Sequence, residues 1–122
     1  MIETLIERGI LLEIKKITPK QLDEKRKRND KLFVLDVRAQ EKFMNDHIED
    51  SYNIPKTSIF NFEESEDSIK EVLSKSEEII VTCTTGNSAM KCAKILAEQD
   101  YNVQVLEGGL TAWKEYLKRG NF

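Results

Sequence analysis

Apolar positions along the chain come in short runs whose period switches repeatedly between two and about 3.6 residues. Leu12 to Ile17 alternates as a strand does. Thr18-Pro19-Lys20-Gln21 then reads as a helix start, with Thr18 as N-cap, Pro19 in the first turn and Gln21 closing a capping box. That helix is expected to run to about Arg28, with Asn29-Asp30 ending it. Leu32-Phe33-Val34-Leu35 is apolar on both faces and ends at Asp36, the pattern of a central parallel strand. Ala39 to Asn45 predicts a short helix with Phe43 and Met44 turned inward. Tyr52-Asn53-Ile54 is a short third strand closed by Pro55.

The pattern is weakest between Lys56 and Ser76. Ile59, Phe60 and Phe62 anchor a helical turn, Glu63 to Asp67 reads as an acidic loop, and Ile69 to Leu73 as a turn or two of helix. Ile79 to Thr82 is a fourth strand. A helix from Asn87 to Gln99 follows, with Ala89, Cys92, Ala93 and Leu96 on its inner face. Asn102 to Leu106 is a fifth strand, Gly108-Gly109 breaks the chain, and a last helix from Leu110 to Lys118 buries Leu110, Trp113 and Leu117. Strands alternating with helices at this spacing predict one α/β domain with a parallel sheet, over residues 14–122. Residues 1–13 form an extension in which the spacing of Ile2, Leu5 and Ile6 predicts a helix over residues 2–8, suited to cover a sheet edge or bind a partner.

Composition narrows the function classes. The chain has 122 residues, 34% of them charged, and a net charge of −3. No cationic stripe fits nucleic acid, and Lys25-Arg26-Lys27-Arg28, flanked by acids, reads as a solvated helix end. No apolar run is long enough to span a membrane, and Glu3, Glu7, Arg8 and Glu13 interrupt any secretion signal. A soluble, cytoplasmic protein in a reducing compartment is expected. The two cysteines make no disulfide framework, their spacing is no common zinc pattern, and the single histidine, His47, is remote in sequence, so neither metal nor cofactor is expected.

The chemistry concentrates where Ile79-Ile80-Val81-Thr82 ends in Cys83 and Thr84-Thr85-Gly86-Asn87-Ser88 leads into a helix. In open parallel sheets ligands bind beyond the carboxyl ends of the strands, and Cys83 and Asp36 both stand there. The thiolate, not the thiol, is the nucleophile, and a free thiol is a few per cent ionised at neutral pH. A helix dipole contributes roughly 0.3–1 kcal/mol, short of the about 1.4 kcal/mol that a tenfold gain in thiolate needs. Several loop N–H groups must therefore converge on the sulfur, in a turn that Gly86 permits. Cys92, in the helix interior, reads as core. Asp36 and Arg38 read equally as fold-holding residues and as supports of the pocket floor, with Arg38 pairing Glu41 or another acid. Trp113 reads as core.

Three signatures coincide: Leu35-Asp36-Val37-Arg38 with Glu41, Phe43, His47-Ile48 and Tyr52-Asn53-Ile54-Pro55; the strand–cysteine–glycine turn from Val81 to Gly86; and Val105-Leu106-Glu107-Gly108-Gly109-Leu110-Thr111-Ala112-Trp113. Together they resemble a single-domain rhodanese, of the sulfurtransferase family, over residues 14 to 119. The resemblance implies a three-layer α/β/α fold around a five-stranded parallel sheet of order 3-2-4-5-1. It implies that Cys83 is the nucleophile, taking a sulfane sulfur from a small donor or a protein persulfide and passing it to a thiol or cyanide. Residues Cys83 to Ser88 are then the substrate-binding cradle, Gly86 matches the family's loop glycine, and His47 sits at a structural turn. One departure stands out. Where the family carries a basic residue after the cysteine and an arginine at the loop's end, this chain has Thr84 and Ser88, and the nearest cation along the chain is Lys91. That favours a thiol-linked or protein-bound donor over thiosulfate. Two other readings remain: a non-catalytic rhodanese-like binding module, and a cysteine-dependent phosphatase of related fold, against which the lack of an arginine at Ser88 and Ala89 counts.

Overall fold

The computed structural model describes residues 2–7, 10–28 and 31–120. Among the described residues, six strands and six helices follow one another as β1 (Ile2–Glu7), β2 (Ile10–Ile17), α1 (Pro19–Lys27), β3 (Leu32–Asp36), α2 (Gln40–Asn45), β4 (Tyr52–Asn53), α3 (Lys56–Phe60), α4 (Phe62–Val72), β5 (Glu78–Thr82), α5 (Asn87–Glu98), β6 (Asn102–Leu106) and α6 (Gly109–Arg119). The sheet order is β1-β2-β6-β5-β3-β4. Its five strands β2, β6, β5, β3 and β4 are all parallel to their neighbours, in the order the resemblance implies.

The pleat divides the core into two layers. Ile79 and Val81 of β5, Leu35 of β3 and Val103 and Val105 of β6 pack on one face with Ile59, Ile69, Ala89, Cys92, Ala93 and Leu96 from α3, α4 and α5. Ile80, Val34 and Leu106, from alternate positions of the same strands, pack on the other face with Leu22 of α1 and Leu110 and Trp113 of α6. Period two in the strands thus buries both faces of the sheet beneath helices. The α1 start is as expected: Thr18 Oγ1 accepts from the Gln21 N–H at 3.1 Å and Gln21 Oε1 accepts from the Thr18 N–H at 2.8 Å. Asn29-Asp30, expected to end that helix, lies outside the described residues. The basic cluster is bound into the structure more than a solvated end: Lys25 meets Glu78 at 2.9 Å and Arg26 donates to the Glu49 carbonyl at 2.8 Å. No helix of the described residues is long and apolar enough to cross a membrane.

Five local expectations are corrected. Residues 2–7 are not a helix but strand β1, paired antiparallel with β2 from Ile2↔Lys15 to Glu7↔Ile10. Residue 8 of that expected helix lies outside the described residues. β-branched Ile2, Thr4 and Ile6 recur at alternate positions, and pairing satisfies a backbone edge of β2 that would otherwise stay open. Glu63 to Asp67 is not a loop but part of α4, because Glu63 and Glu64 favour the positive end of the helix and Glu66 pairs with Lys70 one turn on at 3.0 Å. Met44 is 70% exposed, since α2 is a six-residue helix that buries none of its residues, and Phe43 stacks on His47 instead. Phe60 and Leu117 are exposed too: Phe60 ends α3 while its neighbours Ile59 and Phe62 take the core positions, and Leu117 lies one turn beyond Trp113 on the open groove between α6 and α1.

Candidate active site

Cys83 follows the last residue of β5 and is 5% exposed. The chain must turn within three residues to start α5, and Gly86 makes the turn at φ 108°, outside the range comfortable for a residue with a Cβ. Gly86 is the N-cap of α5 and offers no side-chain cap. The sulfur supplies one. Cys83 Sγ accepts from the Gly86 N–H at 3.1 Å and from the Ala89 N–H, in the first turn of α5, at 3.3 Å. It stands where a serine or aspartate oxygen caps an ordinary helix, so the unpaired amides and the dipole of α5 act on one sulfur atom and stabilise negative charge there.

The rest of the loop is fixed by the corner between β6 and α6. The Leu110 N–H donates to the Cys83 carbonyl at 2.8 Å and the Thr111 N–H to the Thr84 carbonyl at 3.0 Å. This contact explains Gly109, whose φ is +61°. A Cβ there would lie 2.5 Å from the Cys83 carbonyl oxygen and 2.7 Å from that of Thr84. Gly109→Ala therefore has to push the cysteine loop away. It is expected to lose about 2–4 kcal/mol in urea unfolding, from αL strain and backbone overlap together. A melting curve within a degree of wild type would contradict this.

A cavity of about 340 Å³ opens beside the thiol. Cys83, Thr84, Thr85, Asn87 and Ser88 of the loop line it together with Val37, Arg38, Ala39, Lys42 and Lys56 from outside the loop. The loop residues read from the sequence are thus together, with Gly86 acting through its backbone. Asp36 does not line the cavity. It is fully buried below it, where its carboxylate receives Arg38 Nη2 at 2.7 Å, Arg38 Nε at 3.0 Å and the Arg38 N–H at 2.9 Å. Arg38 pairs with Asp36, not with Glu41, and also donates to the Asp46 carbonyl. Asn53 ties the same turn by donating to the carbonyls of Asp36 and Arg38, each at 2.9 Å. The Val37 N–H reaches the Thr82 carbonyl at 2.9 Å, and the Val37 carbonyl accepts from the Lys56 N–H at 2.9 Å. The Asp36–Arg38 turn therefore joins the end of β5 to the start of α3.

Lys42 and Lys56 are the residues that sequence reasoning missed. Neither belongs to the loop, yet both line the same cavity as Cys83. A signal existed for Lys56: it follows β4, which is parallel to β3 and β5, so it must emerge at the same end of the sheet as Cys83. The uncharged loop is therefore not an uncharged site.

Two other residues keep the expected places. Cys92 is fully buried in α5; burial first, and then the nearby Cys83 charge, push its thiol up to about 12, so it stays neutral and packs as core. His47 Nδ1–H donates to the Phe43 carbonyl at 2.7 Å and its ring stacks on Phe43 at 3.9 Å; it does not line the Cys83 cavity. Among the described residues no cluster of His, Cys, Asp and Glu could hold a metal ion.

The family model of the rhodanese-like domain matches residues 18–116. The chain belongs to the rhodanese-like domain family. Among curated relatives, YtwF of Bacillus subtilis is 30% identical over 110 residues, covering 90% of this chain and 100% of the relative. The thiosulfate sulfurtransferase GlpE of Pseudomonas savastanoi is 30% identical over 105 residues, covering 85% of this chain and 91% of the relative. A crystal structure of a rhodanese-related protein from Thermoplasma volcanium superimposes with a TM-score of 0.70 at 26% identity, covering 84% of this chain and 92% of that one. In rhodanese terms, the matched span begins at the Thr18 N-cap and ends in α6, so β1 and all of β2 precede it.

Proposed function

We propose that this rhodanese-like chain is a sulfurtransferase that carries sulfane sulfur as a persulfide on Cys83. The observation that carries the reading is the sulfur itself: Cys83 Sγ accepts two backbone N–H groups at the start of α5 and borders a cavity that two lysines also line. The Cys83 thiolate attacks the outer sulfur of a donor R–S–SH. A bond forms between the two sulfurs, the donor S–S bond breaks, and R–S⁻ leaves with the electron pair and takes up a proton. An acceptor thiolate then attacks the outer sulfur of the Cys83 persulfide and restores the Cys83 thiolate. The relatives' sulfurtransferase names support the same reaction class.

Lys42 and Lys56 would attract anionic donors, thiosulfate included, which widens the donor range that the loop alone suggests. A phosphatase reading has no free arginine in the site, because the Arg38 guanidinium is engaged by Asp36 and the Asp46 carbonyl. Intact mass spectrometry tests the proposal. After exposure to glutathione persulfide, and separately to thiosulfate, the protein is expected to gain one sulfur atom from at least one donor and to lose it to added dithiothreitol. No gain from either donor would make the non-catalytic binding module the better reading.

A further inference from the structure

A second cavity, of about 420 Å³, lies on the other side of the cysteine loop. Thr85 and Asn87 line both cavities and form the rim between them. Val105, Leu106 and Met90 contribute its apolar part. Its charged walls are Lys16 of β2, Lys91 and Lys94 of α5, and Glu107 just after β6. Lys91 and Lys94 are three apart and share a helix face, and the parallel register sets Lys16 opposite Val105 of β6. Two separate pieces of chain, β2 and α5, thus bring three lysines to one hollow beside a single acid, on a protein whose net charge is −3. The positive character is local and opposes the overall sign.

We propose that this cavity receives the anionic end of an elongated low-molecular-weight persulfide while its sulfane sulfur lies in the Cys83 cavity across the Thr85–Asn87 rim. The site's substrate would then be a thiol-derived persulfide with carboxylates or phosphates remote from sulfur. The volume falls in the range of small-molecule sites, roughly 300–1,000 Å³, which favours a small ligand's tail over a flat protein face. Clustered lysines suit either anion, because an ammonium acts as a point charge on carboxylate or phosphate alike. The proposal rests on Cys83 being the sulfur carrier, and it adds how the donor is chosen.

Two matched donor pairs test it on the intact chain. One pair is glutathione persulfide and its diethyl ester, which has the same skeleton with both carboxylates capped. The other is coenzyme A persulfide and pantetheine persulfide, which share the reactive arm but not the phosphates. Wild type is expected to show higher kcat/KM for the charged member of at least one pair, and which pair does so tells carboxylate from phosphate recognition. In the Lys91→Ala/Lys94→Ala double variant that preference is expected to fall about five- to tenfold, the effect of two partly exposed charges. In wild type, with no substitution to perturb folding, about 1 M salt should erase most of it, since screening then acts within about 3 Å. Equal kcat/KM within both pairs overturns the proposal. So does a preference that survives the double substitution, which would place recognition at Lys42 and Lys56. Failure of all four persulfides, neutral ones included, to load Cys83 would instead remove the sulfur-carrier reading on which the proposal stands.

Discussion

Cys83→Ser is expected to abolish sulfur transfer while leaving the fold standing. A serine hydroxyl ionises too rarely to act as a nucleophile at neutral pH and forms no persulfide, so kcat/KM should fall on the order of 10³-fold or more. Its oxygen can still accept from the Gly86 and Ala89 N–H groups, since hydroxyl oxygens are ordinary helix caps. The change in unfolding free energy should therefore stay within about 1 kcal/mol. Initial-rate measurements with varied donor and acceptor check the wild type, which should give the parallel double-reciprocal lines of a double displacement. A Cys83→Ser protein retaining a tenth of the activity would mean that another group carries the sulfur. The neutral, fully buried Cys92 offers no such substitute.

Arg38→Ala is expected to cost about 3–5 kcal/mol of stability, as breaking a buried ion pair from one side does. The Asp36 carboxylate is fully buried, and without Arg38 its side-chain partners are gone, leaving the backbone N–H of residue 38. The Asp46 carbonyl loses a donor as well. The damage should reach the site, because Val37, between the paired residues, bonds to both Thr82 and Lys56 and lines the Cys83 cavity. Removing both charges separates the ion pair from its geometry. Asp36→Leu combined with Arg38→Met should recover more than half of the lost stability, because no unpaired charge then remains buried. Urea denaturation of the three proteins is the measurement. A double variant as unstable as Arg38→Ala would show that the pair's net attraction, not the stranded carboxylate, was the main effect.

The parallel strands, the Thr18–Gln21 capping box, the inner face of α5 and the position of Cys83 were legible along the chain because each is written within one or two turns of backbone. Alternation distinguishes a strand buried on both faces, and a threonine before Pro19 with glutamine three residues on marks a helix start. The glycine turn between Cys83 and α5 is local in the same way. Weak periodicity misled at the two ends of that scale. Residues 2–7 carry both a helical and a strand spacing, and pairing with β2 settles it. Glu63 to Asp67 is polar enough for a loop, and the packing of Phe62 and Ile69 carries it into a helix.

What remained hidden belongs to contacts between segments distant in sequence. The uncharged run Thr84 to Ser88 is plain in the chain, but the site's charge comes from Lys42 and Lys56, which the β3–β5 and β3–β4 registers bring to the same end of the sheet. Gly109 is the clearest case. Its spacing from Trp113 helps to name the family, yet its physical reason is the carbonyl of Cys83, 26 residues earlier, against which no Cβ fits. Local pattern fixes which residues form a strand, a turn or a helix start, because those choices depend on near neighbours. The charge around the thiol and the hold on its loop depend on which strand ends lie side by side, and that is set only when the sheet assembles.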